Sequence, residues 1–155
     1  MLRACIAGLA LVACADSSTP TSSSFVGNWS CQVAGSASVS AQGTPFNVDL
    51  APHTDKVSIT STGGNALSVD DLASGGECIL QASVTNGSAA ITGGSCTQSI
   101  AVDGSVATFS YKFTGGALDV SGSSMSGTVQ ASLTGSVGTT VVGGTATQTF
   151  TCAHK

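Results

Sequence analysis

The feature that most constrains this chain is a two-residue alternation of apolar and polar side chains, broken at short intervals by turn-forming residues. In residues 125–134 the odd positions are Met125, Gly127, Val129, Ala131 and Leu133, and the even ones are Ser126, Thr128, Gln130, Ser132 and Thr134. A period of two sends successive side chains to opposite faces of an extended strand, so one face here is apolar and the other polar. Ala107, Phe109, Tyr111 and Phe113 alternate in the same way with Thr108, Ser110 and Lys112. So do Cys78, Leu80, Ala82 and Val84 with Gln81 and Ser83, and Cys96, Ile100 and Val102 with Thr97 and Ser99. These are half-buried strands.

Gly63-Gly64-Asn65, Gly75-Gly76, Asn86-Gly87, Gly93-Gly94, Asp103-Gly104, Gly115-Gly116, Gly122-Ser123 and Gly143-Gly144 read as the hairpin turns between such strands. The predicted fold class is all-β: an antiparallel meander of about 8–10 short strands, closed as an up-and-down barrel, with a β-sandwich as the alternative. Closure is favoured because it leaves no unpaired edge. No segment shows a helical pattern.

Of six cysteines, Cys31, Cys78, Cys96 and Cys152 fall within the alternating region. Four cysteines allow three pairings. A hairpin folded at Asn86-Gly87-Ser88 sets Cys78 opposite Cys96, which leaves Cys31 to join Cys152 from the first and last strands, neighbours if the sheet closes. A thiolate metal site is not expected, because no Cys-x-x-Cys spacing occurs. No cofactor is expected either.

Only four basic residues face eight acidic ones, and charged residues make up 8% of the chain. There is no basic face to meet a phosphate backbone, so nucleic acid is not an expected partner. At 155 residues the chain has room for one domain. Its 41% hydrophobic content and regular alternation argue against disorder.

Met1, Leu2 and Arg3 form a short positive segment, and residues 4–13 form an apolar stretch too short to span a bilayer as a helix. At its end, Leu11-Val12-Ala13-Cys14 resembles the lipobox of bacterial lipoproteins. The resemblance implies that residues 1–13 are a cleaved signal peptide and that Cys14 becomes the lipidated first residue of the mature protein. Membrane attachment then runs through N-terminal lipid, since two or three acyl chains hold a protein where one does not. Asp16 is the second residue after Cys14 rather than the first, so the inner-membrane retention signal of enteric bacteria is absent and the outer membrane is the expected location. Residues 14–24, rich in Ser and Thr, read as the lipidated Cys and a flexible tether, and residues 25–155 as a single all-β domain.

His53 and His154 belong to no recognisable catalytic motif, and His154, the penultimate residue, is expected to fray. Asp70-Asp71 followed by Glu77 lacks the spacing of a calcium loop and reads as a solvated turn. No nucleophile elbow, zinc-protease helix or phosphate-binding loop is present. The chain therefore reads as non-enzymatic.

Gly27-Asn28-Trp29, at the start of the meander, resembles the Gly-x-Trp first-strand motif of lipocalins, whose Trp closes one end of the barrel. That family stacks an Arg from near the last strand on the Trp, and here no Arg follows Arg3. The Gly-x-Trp-x-Cys start, the Cys-containing central hairpin and the terminal Thr-x-Thr-Cys also resemble Cys-paired β-domain lipoproteins of Gram-negative bacteria, which implies an envelope location. The first functional expectation is a membrane-anchored envelope module that binds a protein or glycan or acts by structural display. The alternative is a lipocalin-like carrier of a small apolar ligand, with Phe109, Tyr111, Phe113 and Trp29 lining its cavity. A filled interior excludes the carrier, whereas an end capped by Trp29 with an open opposite mouth favours it.

Overall fold

The computed structural model describes residues 19–72, 78–102 and 105–155. The signal segment, Cys14, the first part of the expected tether, Glu77, Gly75-Gly76 and Asp103-Gly104 lie outside those residues. Eight antiparallel strands run in chain order: β1 (Gly27–Ala41), β2 (Thr44–Gly63), β3 (Ala66–Asp71), β4 (Cys78–Thr85), β5 (Ser88–Val102), β6 (Ser105–Ser121), β7 (Ser124–Val137) and β8 (Thr140–His154). Each pairs with the next, and β1 pairs with β8, so the sheet closes on itself as the alternation predicts.

The eight strands fall within the expected number but are longer than expected, and the glycine pairs are the reason. Gly93-Gly94, Gly115-Gly116 and Gly143-Gly144 lie within β5, β6 and β8 instead of between strands. The first two sit at register shifts, where an extra residue enters one strand and turns the apolar face by one position. Gly116 shows why the residue must be Gly: its φ is +128°, and a Cβ there would collide with the Thr128 carbonyl of β7. Asn86-Gly87 and Gly122-Ser123 are hairpin turns as predicted.

β7 keeps the predicted face without interruption, with Met125, Val129, Ala131 and Leu133 buried and Ser126, Thr128, Gln130 and Thr134 exposed. Both predicted disulfides are present, Cys31–Cys152 across β1 and β8 and Cys78–Cys96 across β4 and β5. A single helical turn, α1 (Ser22–Phe25), precedes β1, within the last residues of the expected tether. The Ser24 amide bonds back to the Thr21 carbonyl, and the turn delivers Phe25, fully buried, to one end of the barrel.

That end, the base, is packed solid around Phe25, Trp29, Ile59, Leu67 and Met125. The indole N–H of Trp29 donates to the Phe25 carbonyl at 2.9 Å, which satisfies the one polar atom of a buried ring. A second, smaller apolar cluster of Ala37, Val39, Leu133, Val142 and Ala146 stands near the opposite end, the mouth.

The wall is uneven. β3 pairs with β2 only over residues 57–63 of the latter, and β4 with β5 only over residues 88–95. Toward the mouth, residues 44–56 of β2 and 97–102 of β5 are paired on one side only among the described residues. Among the described residues the barrel thus has a closed base and, toward its mouth, a stretch where β2 and β5 are each paired on one side only.

Candidate functional site inside the barrel

Between the two apolar clusters lies a cavity of about 300 Å³, roughly ten waters' share of liquid volume. Its apolar lining includes Ala37, Leu80, Val129, Ala131, Leu133 and Ala146. The small side chains Ala131 and Ala146 keep it open where a Leu or Phe would fill it.

The polar lining comes from residues that stand in phase with apolar ones. Asp55 is in step with Val57 and Ile59, and Asp71 with Leu67 and Val69, so each faces inward despite its charge. Gln98 follows Cys96, and Gln148 lies between Ala146 and Phe150, on the same inward face. Asp55 is the only buried charged residue among those described. It is held by His53, whose Nε2 lies 3.0 Å from its Oδ2. The other ring nitrogen, Nδ1, lies 2.9 Å from the Ala51 carbonyl.

Both partners of that imidazole are acceptors, so only the doubly protonated ring satisfies both. The bond to the Ala51 carbonyl accordingly raises the His53 pKa above its ordinary value, opposed by partial burial and reinforced by the carboxylates of Asp55 and Asp71. Burial likewise pushes the Tyr111 phenol up, so it remains a neutral hydrogen-bonding group on the cavity wall.

The position of His53 depends on an irregularity in β2. The β1–β2 register shifts between Val33, opposite His53, and Gly35, opposite Leu50, so that Ala51 and Pro52 together face Ala34 alone and β2 carries one extra residue. Below the shift the odd residues His53, Asp55 and Val57 face inward. Above it Leu50, Val48 and Phe46 do, opposite Gly35, Ala37 and Val39. Phe46 and Val48, 44% and 40% exposed, continue the strip from Leu50, which lines the cavity, toward the mouth. The site is therefore layered: a packed base, a polar level at His53, Asp55 and Asp71, and an apolar mouth.

Of the residues expected to line a ligand site, Tyr111 and Phe113 are on the cavity wall, and Phe109 packs against the mouth cluster. Trp29 lies in the base, away from the cavity. Asp70 and Asp71 are not in a turn but in β3, facing opposite sides of the sheet, because the strand runs to Asp71 before it ends. Among the described residues no cluster of His, Cys, Asp and Glu has the makings of a metal site.

Sequence reasoning missed His53, Asp55, Asp71, Gln98 and Gln148. The signal was present: each is a polar residue at a position where the alternation calls for an apolar one, which in a barrel marks the interior. No protein-family model matches the chain, and no curated protein or solved structure is significantly similar to it.

Proposed function

We propose that this domain is a binding module that takes one small amphipathic molecule into its barrel, on a chain anchored to the bacterial envelope by lipid at Cys14. The observation that carries the reading is the cavity of about 300 Å³, which lies at the lower limit of volumes typical for small-molecule sites. A barrel built only for display gains nothing from such a space, because filling it with larger side chains would add packing. Binding is favoured over catalysis by the engagement of His53, both of whose ring nitrogens are held by acceptors. A general base needs a ring nitrogen to receive a proton.

The hydroxyl-rich, weakly charged outer faces of the strands support a second role, display toward a protein or glycan. That role is compatible with a loaded barrel. Native mass spectrometry of the protein purified from bacterial membranes after oxidative export, compared with the same sample denatured without reduction, tests the binding reading. A mass increment lost on denaturation is expected. Identical native and denatured masses would contradict the reading.

A further inference from the structure

We propose that the base of the barrel faces the bilayer to which the chain is anchored, with the mouth held away from it by the shortness of the tether. The inference rests on the reading of Cys14 as the lipid anchor and adds which end of the domain meets the membrane.

The residues between Cys14 and β1 are not all tether. Thr19 and Pro20 lie against the β4–β5 turn, where a Cβ on Gly87 would come within 2.9 Å of the Pro20 Cδ and 3.0 Å of the Thr19 Cγ2. The Ser22 hydroxyl donates to the Gly64 carbonyl of the β2–β3 turn at 3.2 Å, and the Thr21 amide donates to the Ser24 hydroxyl at 3.2 Å. Phe25 then enters the core fully buried, and its carbonyl accepts the Trp29 indole N–H. Residues 19–25 are therefore docked across the base, held there by burial of a whole aromatic side chain.

The reach that remains is short. From Cys14 to Thr19 the chain has five residue steps, at most about 18 Å when fully extended. β8 covers 15 residues, which at about 3.3 Å per residue and a tilt of about 40° makes the barrel about 35 Å tall. β1 begins at the base and β8 ends there, so the β2–β3, β4–β5 and β6–β7 turns are all at that end. A tether that leaves beside the β4–β5 turn cannot span a barrel about twice its own length. An inverted domain, mouth to the membrane, is out of its reach.

The surface at the base suits a headgroup layer. Residues 62–65, 85–88 and 121–124, which form the three turns, carry no charged side chain. Lys155 is exposed beside them, its amide bonded to the Asn28 carbonyl. Anionic lipid therefore repels none of these turns and attracts Lys155. The packed base around Phe25, Trp29, Ile59, Leu67 and Met125 then stands between the bilayer and the cavity. A ligand of the cavity is accordingly taken from the aqueous side, not from the acyl chains beneath.

Methyl nuclear magnetic resonance of the lipidated protein in nanodiscs of phosphatidylethanolamine and phosphatidylglycerol, doped with a gadolinium-chelating lipid, tests the proposal. With a barrel about 35 Å tall, paramagnetic broadening is expected to be at least about fivefold stronger at Ile59 and Leu67 near the base than at Val39, Leu133 and Val142 near the mouth. Inserting about twenty Gly and Ser residues between Asp16 and Ser17 should bring that ratio below about half its value.

Equal broadening at both ends, or more at the mouth, in a protein whose Cys14 lipid is confirmed by mass spectrometry would overturn the orientation while leaving the anchor in place. An unchanged ratio after the insertion would show that the short tether does not set the orientation, and would also overturn it. A protein recovered without lipid at Cys14 would remove the anchoring reading along with the inference.

Discussion

The imidazole of His154 meets the indole of Trp29 edge to face, with ring centroids 4.8 Å apart, and lies directly over Gly27. The two rings share a rung of the β1–β8 ladder, and the chain end is tied further by the His154 amide bonded to the Ser123 carbonyl. The penultimate residue therefore does not fray. Its contact with Trp29 and its place over Gly27 give the Gly27-Asn28-Trp29 spacing a physical cause. A side chain at Gly27 would run into the His154 ring, and the backbone there has φ +142°.

Gly27→Ala is accordingly expected to destabilise the domain by about 2 kcal/mol, through strain at positive φ and displacement of His154. His154→Ala, which removes only the ring contact, should cost about 1 kcal/mol. Urea unfolding of the two variants checks both the sizes and their order. A His154→Ala protein less stable than Gly27→Ala would contradict the assignment.

The disulfides close loops of very different length, 121 residues for Cys31–Cys152 and 18 for Cys78–Cys96. Chain entropy alone predicts losses of about 5 and about 3 kcal/mol when each is removed. Paired replacement by Ala, measured by chemical unfolding, should therefore cost more at the barrel seam than in the central hairpin. The reverse order would show that local packing outweighs loop closure.

His53 makes stability depend on pH in a defined sense. Its pKa is raised in the folded state by the bond to the Ala51 carbonyl and by the Asp55 and Asp71 carboxylates. Its contribution is thus fully present below the ordinary histidine value near 6.5 and is lost as pH rises through the higher folded value. The ring is half exposed, so solvent screens much of the effect. Thermal unfolding should show wild type exceeding His53→Ala by more at pH 5.5 than at pH 8.5. An equal gap at both values would contradict it.

The sequence resembled a lipoprotein at Cys14, and that reading has its own test. Cys14→Ser should move the protein from the membrane fraction to the soluble periplasmic fraction, followed by immunoblot. Unchanged membrane retention would contradict lipid anchoring.

The barrel was legible in the sequence because β7 and β8 keep one alternation from end to end, and because the Asn86-Gly87 turn put Cys78 against Cys96. The site was not, for a local reason. Extra residues in β2, β5 and β6 reverse which residues face inward partway along each strand, and their positions are decided by pairing with a neighbour rather than by any single strand. Ala51-Pro52 hid the inward strip of Leu50, Val48 and Phe46, and the glycine pairs in β5 and β6 looked like turns. Gln98 was visible as a gap in the apolar series from Cys96 to Val102, but only a closed sheet turns that gap into a cavity wall.

The most direct test of the account is a nuclear magnetic resonance titration of the methyl groups with octanol, a small amphipathic probe. The account predicts saturable, one-to-one shifts at Ala131, Leu133 and Ala146 on the cavity wall, with Ile59 and Leu67 in the packed base unmoved. Shifts spread over outward-facing methyls such as Val141, or no shift at the cavity wall, would contradict a ligand site inside the barrel.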